Sequence, residues 1–424
     1  MLPALILFAL TYMLMLIFGK YRPYIALLSG ILFIATGMLP LDNVIGAIDF
    51  NVILMIAGTM GLVALFIESK MPALLADLIM EHVPNVMWAA VSLSLFAGII
   101  SAFVDNVATV LMVAPIALAI CKKLNTDPVP FIIAVAVSSN LQGAATLIGD
   151  TTAIMLGSAL DMTFLEFFFY HGKPSIFFAV ELGALLSALI LILVFRKEKE
   201  VVPKAESRTK VTDYFPTVLL IFVLLFLVLA SFVPEKPATT NGIICCIMLL
   251  VGLIYSVIRT KKLSCMIEPL KSIDFSTISI LLGLFLMIGG ITERGVIDKA
   301  AELLARLGGG NVFLLYTIIV WASVAISAFI DNIPYVATMI PVIGGLAATL
   351  GIDPTPLYFG LLSGATLGGN CTPIGASANI TGIGILRKAG YEVKNKDFFK
   401  IGIPFTLAAI IPAYVYIWMM YGVG

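Results

Sequence analysis

The sequence predicts an all-α integral membrane protein made of two inverted repeats, each with five transmembrane helices and one re-entrant hairpin. Three observations carry this. The 424 residues are 61% hydrophobic and only 12% charged, about half the charge of a soluble domain. Apolar runs of bilayer-crossing length recur from end to end. And the chain is written twice, at an offset of 226 residues.

In the first half, crossings are expected near 2–19, 23–40 and 50–68, then an amphipathic stretch at 70–84. The run 87–121 is too long for one crossing and carries Asp105-Asn106 midway, so a re-entrant hairpin with its tip at that pair is expected. Irregular backbone at membrane depth is tolerated only where protein or water surrounds it. A broken helix follows at 128–160, interrupted around Gly143 to Gly149, then a crossing at 174–195. The second half repeats this near 213–232, 240–258, 275–292, 311–350 (hairpin), 355–386 (broken helix) and 400–421. The division is thus a first repeat at 1–200, a cytoplasmic linker at 201–212 and a second repeat at 213–424. Leu2 to Phe18 lacks a basic leader and a small-residue cleavage site, and is read as a first membrane helix.

The repeat rests on three ordered motifs. Ser101-Ala-Phe-Val-Asp-Asn106 matches Ser327-Ala-Phe-Ile-Asp-Asn332. Gly143-Ala-Ala-Thr-Leu-Ile-Gly149 matches Gly369-Asn-Cys-Thr-Pro-Ile-Gly375 at the same offset. Ile48-Asp-Phe50 matches Ile273-Asp-Phe275, one residue closer. Five crossings per half is an odd number, so the second repeat enters from the opposite side. Basic residues agree with that topology, since cytoplasmic loops are enriched in Lys and Arg. Lys20 and Arg22, Lys122 and Lys123, and the loops 196–210, 259–271 and 387–396 fall on one side. The sparse or charge-balanced loops 41–47, 161–173, 233–239 and 293–310 fall on the other. Both termini are then outside a cell (plasma) membrane.

Charge inside a span costs a few kcal/mol, so its positions point to function. No Lys or Arg is expected near the site. The acidic residues within spans are Asp105, Asp150, Glu181 and Asp331. Asp105 and Asp331 are repeat mates, each followed by Asn. Their carboxylates suit a hard cation such as Na⁺, or a proton. Each also suits the N-cap of a half-helix, and the two roles are compatible. The broken helices carry Gly, Thr and Asn where helix packing alone asks only for small residues, and interrupted helices in corresponding positions point to a transport site. Asp150 has no acidic mate, since Ala376 stands there, nor has Glu181, whose counterpart is Leu407. Glu181 reads equally as a protonated helix-facing carboxyl or as a proton relay.

Other classes fall away. Net charge is zero, so no field points to nucleic acid. No nucleotide-binding loop, His-Glu-x-x-His or Ser/Lys constellation appears, which argues against an enzyme or an ATP-driven pump acting alone. The five cysteines show no zinc or disulfide spacing. No cofactor is called for beyond a coupling ion. A channel would need a continuous polar path, and two broken-helix repeats fit alternating access better.

The two Ser-Ala-Phe-x-Asp-Asn motifs, Ala145-Thr-Leu-Ile-Gly-Asp150 and Gly375-Ala-Ser-Ala-Asn379 resemble the ion transporter superfamily. It groups citrate and divalent-anion/Na⁺ symporters, arsenite-pump membrane subunits, NhaD-type antiporters and relatives of the P protein. The motifs look closest to the P-protein and arsenite-pump branch, and the resemblance spans about Ile48 to Gly390. It implies a scaffold and a mobile transport domain, elevator-type alternating access, a homodimer and coupling to Na⁺ or H⁺. The implied substrate is a small ion or a small inorganic or organic acid. Arsenite efflux and citrate-like symport are alternatives, and an arsenite-pump relative would take an ATPase partner that no motif here calls for. The residues carried over for substrate or ion binding are Asp105, Asn106, Thr109, Asn140, Thr146, Asp150, Asp331, Asn332, Asn370, Thr372 and Asn379. Sodium would lie near Asp105, Asn106 and Thr146, and near Asp331, Asn332 and Thr372. The dicarboxylate symporters carry Ser-Asn-Thr at their hairpin tips where this chain has Asp-Asn, and two added carboxylates disfavour a polyanion.

Overall fold

A computed structural model describes residues 1–124, 126–202 and 208–422. The middle of the 201–212 linker and the last two residues of the 213–424 repeat lie outside them. The described chain is helical almost throughout.

The first half comprises α1 (Leu2–Ile17), α2 (Arg22–Ala35), α3 (Val44–Ala47), α4 (Phe50–Glu68) and α5 (Met71–Met80). It continues with α6 (Val86–Ser101), α7 (Asn106–Leu124), α8 (Pro128–Gly143), α9 (Thr151–Ala159) and α10 (Ile176–Phe195). The second half comprises α11 (Phe215–Ala230), α12 (Thr240–Thr260), α13 (Ile267–Lys271), α14 (Phe275–Glu293) and α15 (Val296–Gly308). Then come α16 (Val312–Ser327), α17 (Asn332–Leu350), α18 (Thr355–Gly368), α19 (Ser377–Lys388) and α20 (Asn395–Ile417). A short antiparallel pair, β1 (Phe169–Tyr170) with β2 (Lys173–Pro174), precedes α10.

Among the described residues, seven helices are long and apolar enough to cross a membrane singly, or up to nine if each of two sharply bent pairs is one span. The first bent pair joins α1 to 19–35 through 117°, and the second joins α15 to α16 through 115°. The expectation for 293–310 needs correction. The sequence reads that segment as a loop, but α15 occupies most of it, the counterpart of α5. Glycines at both ends and balanced charge hid its helical apolar stripe, whose Ile297 and Ala301 are buried.

Local chemistry explains where elements start. Asp49 caps α4 by accepting from Val52 N at 3.0 Å, and its mate Asp274 caps α14 through Ser276 N and Thr277 N at 3.0 and 3.1 Å. Asn85 and Asn311 cap α6 and α16 in the same way.

Packing then crosses between halves. α4 lies on α12, and α14 lies on α2. The contacts are backbone to backbone at two mated glycines. A Cβ at Gly58 would sit 2.5 Å from the Cys245 carbonyl carbon, and one at Gly283 would sit 2.3 Å from that of Ala26. Such close approach is how helices associate where lipid removes the hydrophobic drive. A second layer packs α6 on α8 and α16 on α18. The mates α10 and α20 run antiparallel along each other. Tyr416 hydroxyl donates to Pro174 O at 3.1 Å, and Gly183 abuts Ala409 further along.

The helix ends gather on two faces. On one, Arg208 forms a bidentate pair with Glu81 at 2.6 and 2.7 Å, Val86 N donates to Glu200 O, and Arg259 pairs with Asp213. On the other, Asn43 donates to Glu293 at 2.7 Å, Arg294 donates to Gly37 O, and Lys173 donates to Met420 O at 2.8 Å.

Candidate functional site

The site forms where the α6–α7 and α16–α17 turns meet the breaks in the α8–α9 and α18–α19 helices. α6 ends at Ser101 and α7 starts at Asn106, so Asp105 sits in the turn between them. Its Oδ1 accepts from Val107 N and Ala108 N at 3.0 and 3.1 Å. Asp331 does the same with Ile333 N at 3.2 Å. Both acids therefore cap the following helix through one carboxylate oxygen.

The breaks match atom for atom. Thr146 hydroxyl donates to Ala102 O, and Thr372 hydroxyl donates to Ala328 O, 226 residues later in both partners. Ile148 N and Ile374 N donate back to those hydroxyls at 3.4 Å. At each break, three carbonyl oxygens converge on a glycine. A Cβ at Gly149 would lie 2.6 Å from Gly143 O and 2.9 Å from Ser101 O and Ala102 O. At Gly375 the corresponding distances are 2.6 Å to Gly369 O and 2.8 Å to Ser327 O and Ala328 O. Only glycine admits this approach. Each break thus gathers three backbone oxygens around a glycine.

The two halves join through amides. Asn106 Nδ2 donates to Asn140 Oδ1 at 2.9 Å, and Asn140 Nδ2 donates to Asn370 Oδ1 at 3.1 Å and Thr366 O at 2.8 Å. Asn370 Nδ2 donates to Val137 O at 2.9 Å. All three asparagines are buried, and each takes part in these bonds. Asp150, also buried, accepts from Thr152 hydroxyl at 3.0 Å, and Thr152 meets Thr366 hydroxyl at 3.2 Å. Asn379 Nδ2 donates to Gly369 O and Thr372 O at 3.0 and 3.1 Å, tying α19 to its own break.

Three predicted residues retain unused polar atoms. The Thr109 hydroxyl and Asn379 Oδ1 are buried without a partner among the described residues. Asn332 is buried and makes no side-chain hydrogen bond among them. Among the described residues no group of three His, Cys, Asp or Glu side chains gathers closely enough to hold a metal.

The expectation that Lys and Arg avoid the site is wrong. Arg22 Nη1 lies 3.7 Å from Asp331 Oδ2, and Ser377 hydroxyl approaches the same oxygen at 3.4 Å. Arg22 begins α2, which sequence alone places in a loop, and only tertiary packing brings it to the second turn. Tyr12 was also missed. Its hydroxyl donates to Pro334 O at 2.7 Å and meets Thr338, so α1 grips the start of α17. Ser101 and Ser327 could have been found, since each opens the repeated motif. Ser101 bonds Ser139 at 3.1 Å, and Ser327 donates to Ala365 O at 2.5 Å.

Several apolar helices of membrane-crossing length and two matched helix breaks fit a membrane transporter. The chain belongs to the citrate transporter family CitMHS, whose model matches residues 12–359 and 262–423. It is 31% identical to an uncharacterized transporter of Mycobacterium tuberculosis over 388 residues, covering 88% of this chain and 87% of that one. It is 27% identical to the P protein of Mus musculus over 87% of this chain and 53% of that one, so it spans about half of the P protein. Among solved structures, the fold resembles the YdaH transporter of Alcanivorax borkumensis, described as having an unusual topology. There the TM-score is 0.62 at 14% identity, covering 89% of this chain and 87% of that one.

Proposed function

We propose that the chain is a secondary active transporter coupled to Na⁺ or H⁺, moving a small ion or small inorganic or organic acid by elevator-type alternating access. The observation that carries this is the pair of carbonyl clusters at Gly149 and Gly375, together with the Asn106–Asn140–Asn370 amides that join the two halves. A coupling cation in the first pocket would use the Gly143, Ser101 and Ala102 carbonyls with Asp105, Asn106 and Thr146. In the second it would use the mated carbonyls with Asp331, Asn332 and Thr372. Asp150 would hold a proton or a further positive charge. Substrate would meet the amides and Asn379 between the pockets.

Antiparallel packing of α10 on its mate α20 supports inverted repeats, because mates related by an axis along the membrane normal would run parallel. The interlocked helices α2, α4, α12 and α14 are suited to a scaffold, and the turns and broken helices to a moving body. The division into a first repeat at 1–200 and a second at 213–424 belongs to this reading. A plasma-membrane location with both termini outside, and a homodimer, belong to the same reading. A carboxylate symporter is the second reading, favoured by the family's citrate description and by Arg22 beside the second pocket.

The test is protein reconstituted in liposomes holding a pH gradient, with lumenal pH followed as Na⁺ is added. Collapse of the gradient that is lost in Asp105→Asn and Asp331→Asn is expected of a cation/proton exchanger. With no response, arsenite and small carboxylates are added with Na⁺ present. Full activity of both variants toward whichever solute is moved would refute the coupling role.

A further inference from the structure

Asp49 caps α4 with Oδ1, and its Oδ2 accepts from the Ser158 hydroxyl near the end of α9. The bond joins an interlocked helix to a broken one, and so crosses from the proposed scaffold to the proposed moving body. α4 packs against α9 along the same contact. The packing there is incomplete. A cavity of about 240 Å³ opens between α4, α9, α14 and α17, with Asp49 and Ser158 on its wall beside Val52, Met155, Phe285 and Ile288. Atoms lining a void lose dispersion partners on that side, so apolar burial holds this contact less firmly than a filled core would, and the polar bond matters more.

The duplication supplies an internal control. Asp274, the mate of Asp49, caps α14 with Oδ1, but its Oδ2 accepts from the Thr277 hydroxyl at 2.7 Å, on its own helix. Val52 stands at the Thr277 position in the first half and has no hydroxyl to offer. Gly384 stands at the Ser158 position in the second half, and a Cβ there meets nothing within 4 Å. Among the described residues, α14 and α19 have no packing comparable to that of α4 on α9. One carboxylate therefore reaches across to the neighbouring body while its mate closes on itself. Two further contacts join the bodies, Tyr12 with Pro334 and Thr338, and Arg22 with Asp331, but both hold the start of α17 and neither involves α9.

We infer that Asp49 and Ser158 form a one-sided latch, which favours the state closed at α4 and α9 over the mirror state closed at α14 and α19. The latch presupposes the alternating access proposed above. In inverted repeats that motion exchanges the mated contacts, so α19 approaches α14 as α9 leaves α4. A hydrogen bond to a carboxylate, present in one state and missing from the other, shifts their ratio by roughly tenfold or more.

No substrate is needed to test this. Spin-label pairs report both contacts in reconstituted protein whose five native cysteines are replaced by alanine. One pair sits at Gly46→Cys and Asp161→Cys, the other at their mates Lys271→Cys and Arg387→Cys, all four positions being exposed. The wild type should be dominated by the short 46–161 distance. Ser158→Gly, which copies the mated residue, should move the population toward the short 271–387 distance by roughly tenfold or more. Thr277→Val with Gly384→Ser, which rebuilds the bond on the opposite side, should move it the same way. Should Ser158→Gly fail to fold, Ser158→Ala removes the same hydroxyl and keeps helix propensity. Two populations whose ratio is the same in wild type and all variants overturn the latch and leave alternating access standing. A single population unchanged in every variant overturns both.

Discussion

Gly149→Ala is the sharpest test of the carbonyl pocket. The new Cβ would lie 2.6 Å from Gly143 O and 2.9 Å from both Ser101 O and Ala102 O, all inside ordinary carbon–oxygen contact. Every clashing atom is backbone, so no side chain can swing aside. Overpacking costs about 1–3 kcal/mol, and three simultaneous backbone contacts argue for the upper end. About 3 kcal/mol is roughly a hundredfold in an equilibrium constant. Gly149 lies outside a helix, so alanine brings no offsetting helix propensity. Gly384 is the control. It is inside α19, and a Cβ there meets nothing within 4 Å, so Gly384→Ala should be neutral or stabilise by about 0.5–1 kcal/mol. The assay is the unfolding midpoint of purified protein with and without Na⁺. Gly149→Ala and Gly375→Ala should both lower the midpoint and blunt its response to Na⁺. A wild-type midpoint with an intact response in Gly149→Ala would refute the pocket.

Asn140→Leu removes acceptor and donor together, stranding Asn106 Nδ2 and Asn370 Oδ1. Each stranded buried group costs about 1–3 kcal/mol, so both the unfolding midpoint and transport should fall. Asp49→Ala should cost about 0.5–2 kcal/mol through the lost α4 cap and more through the stranded Ser158 hydroxyl, measured by denaturation in detergent. Arg22→Gln breaks a half-exposed pair worth about 0–1 kcal/mol, so stability should hardly change while the Na⁺ dependence of transport shifts. Tyr12→Phe should loosen the α1–α17 contact and alter transport rate more than apparent substrate affinity, read by initial uptake rates.

Much of this was legible because duplication doubles the signal. One Asp-Asn pair in an apolar run is ambiguous, but two at one offset locate both turns, and the caps at Asp105 and Asp331 follow. The Thr146 and Thr372 bonds were implied in the same way, since each sits in a paired glycine-bounded break. What escaped depends on contacts between non-mated residues. Asn140 corresponds to Thr366 and Asn370 to Ala144, so their hydrogen bond breaks the sequence symmetry and no offset reveals it. Arg22 escaped because a basic residue at a helix start reads as a loop charge until α2 is packed against the second repeat. The helix α15 escaped because flanking glycines and paired charges look like a turn.

The departures from symmetry are where the chemistry is decided. The carbonyl clusters at Gly149 and Gly375 match within a few tenths of an ångström. Their charges do not match. The first has two buried or capped carboxylates, Asp105 and Asp150, and no cationic side chain within salt-bridge distance of either among the described residues. The second has one, Asp331, with Arg22 at 3.7 Å, and Ala376 stands where Asp150 would be. Desolvated carboxylates without a counter-ion draw a cation or a proton far more strongly than one already facing a guanidinium. On the proposed reading, the first half would take the positive coupling ion. Near the second, an anionic or neutral solute meets less repulsion, and Asn332 and Asn379 keep polar atoms to spare. On the proposed reading, two breaks of one shape with unequal charge would let a duplicated fold bind two different species, together in a symporter or in turn in an exchanger.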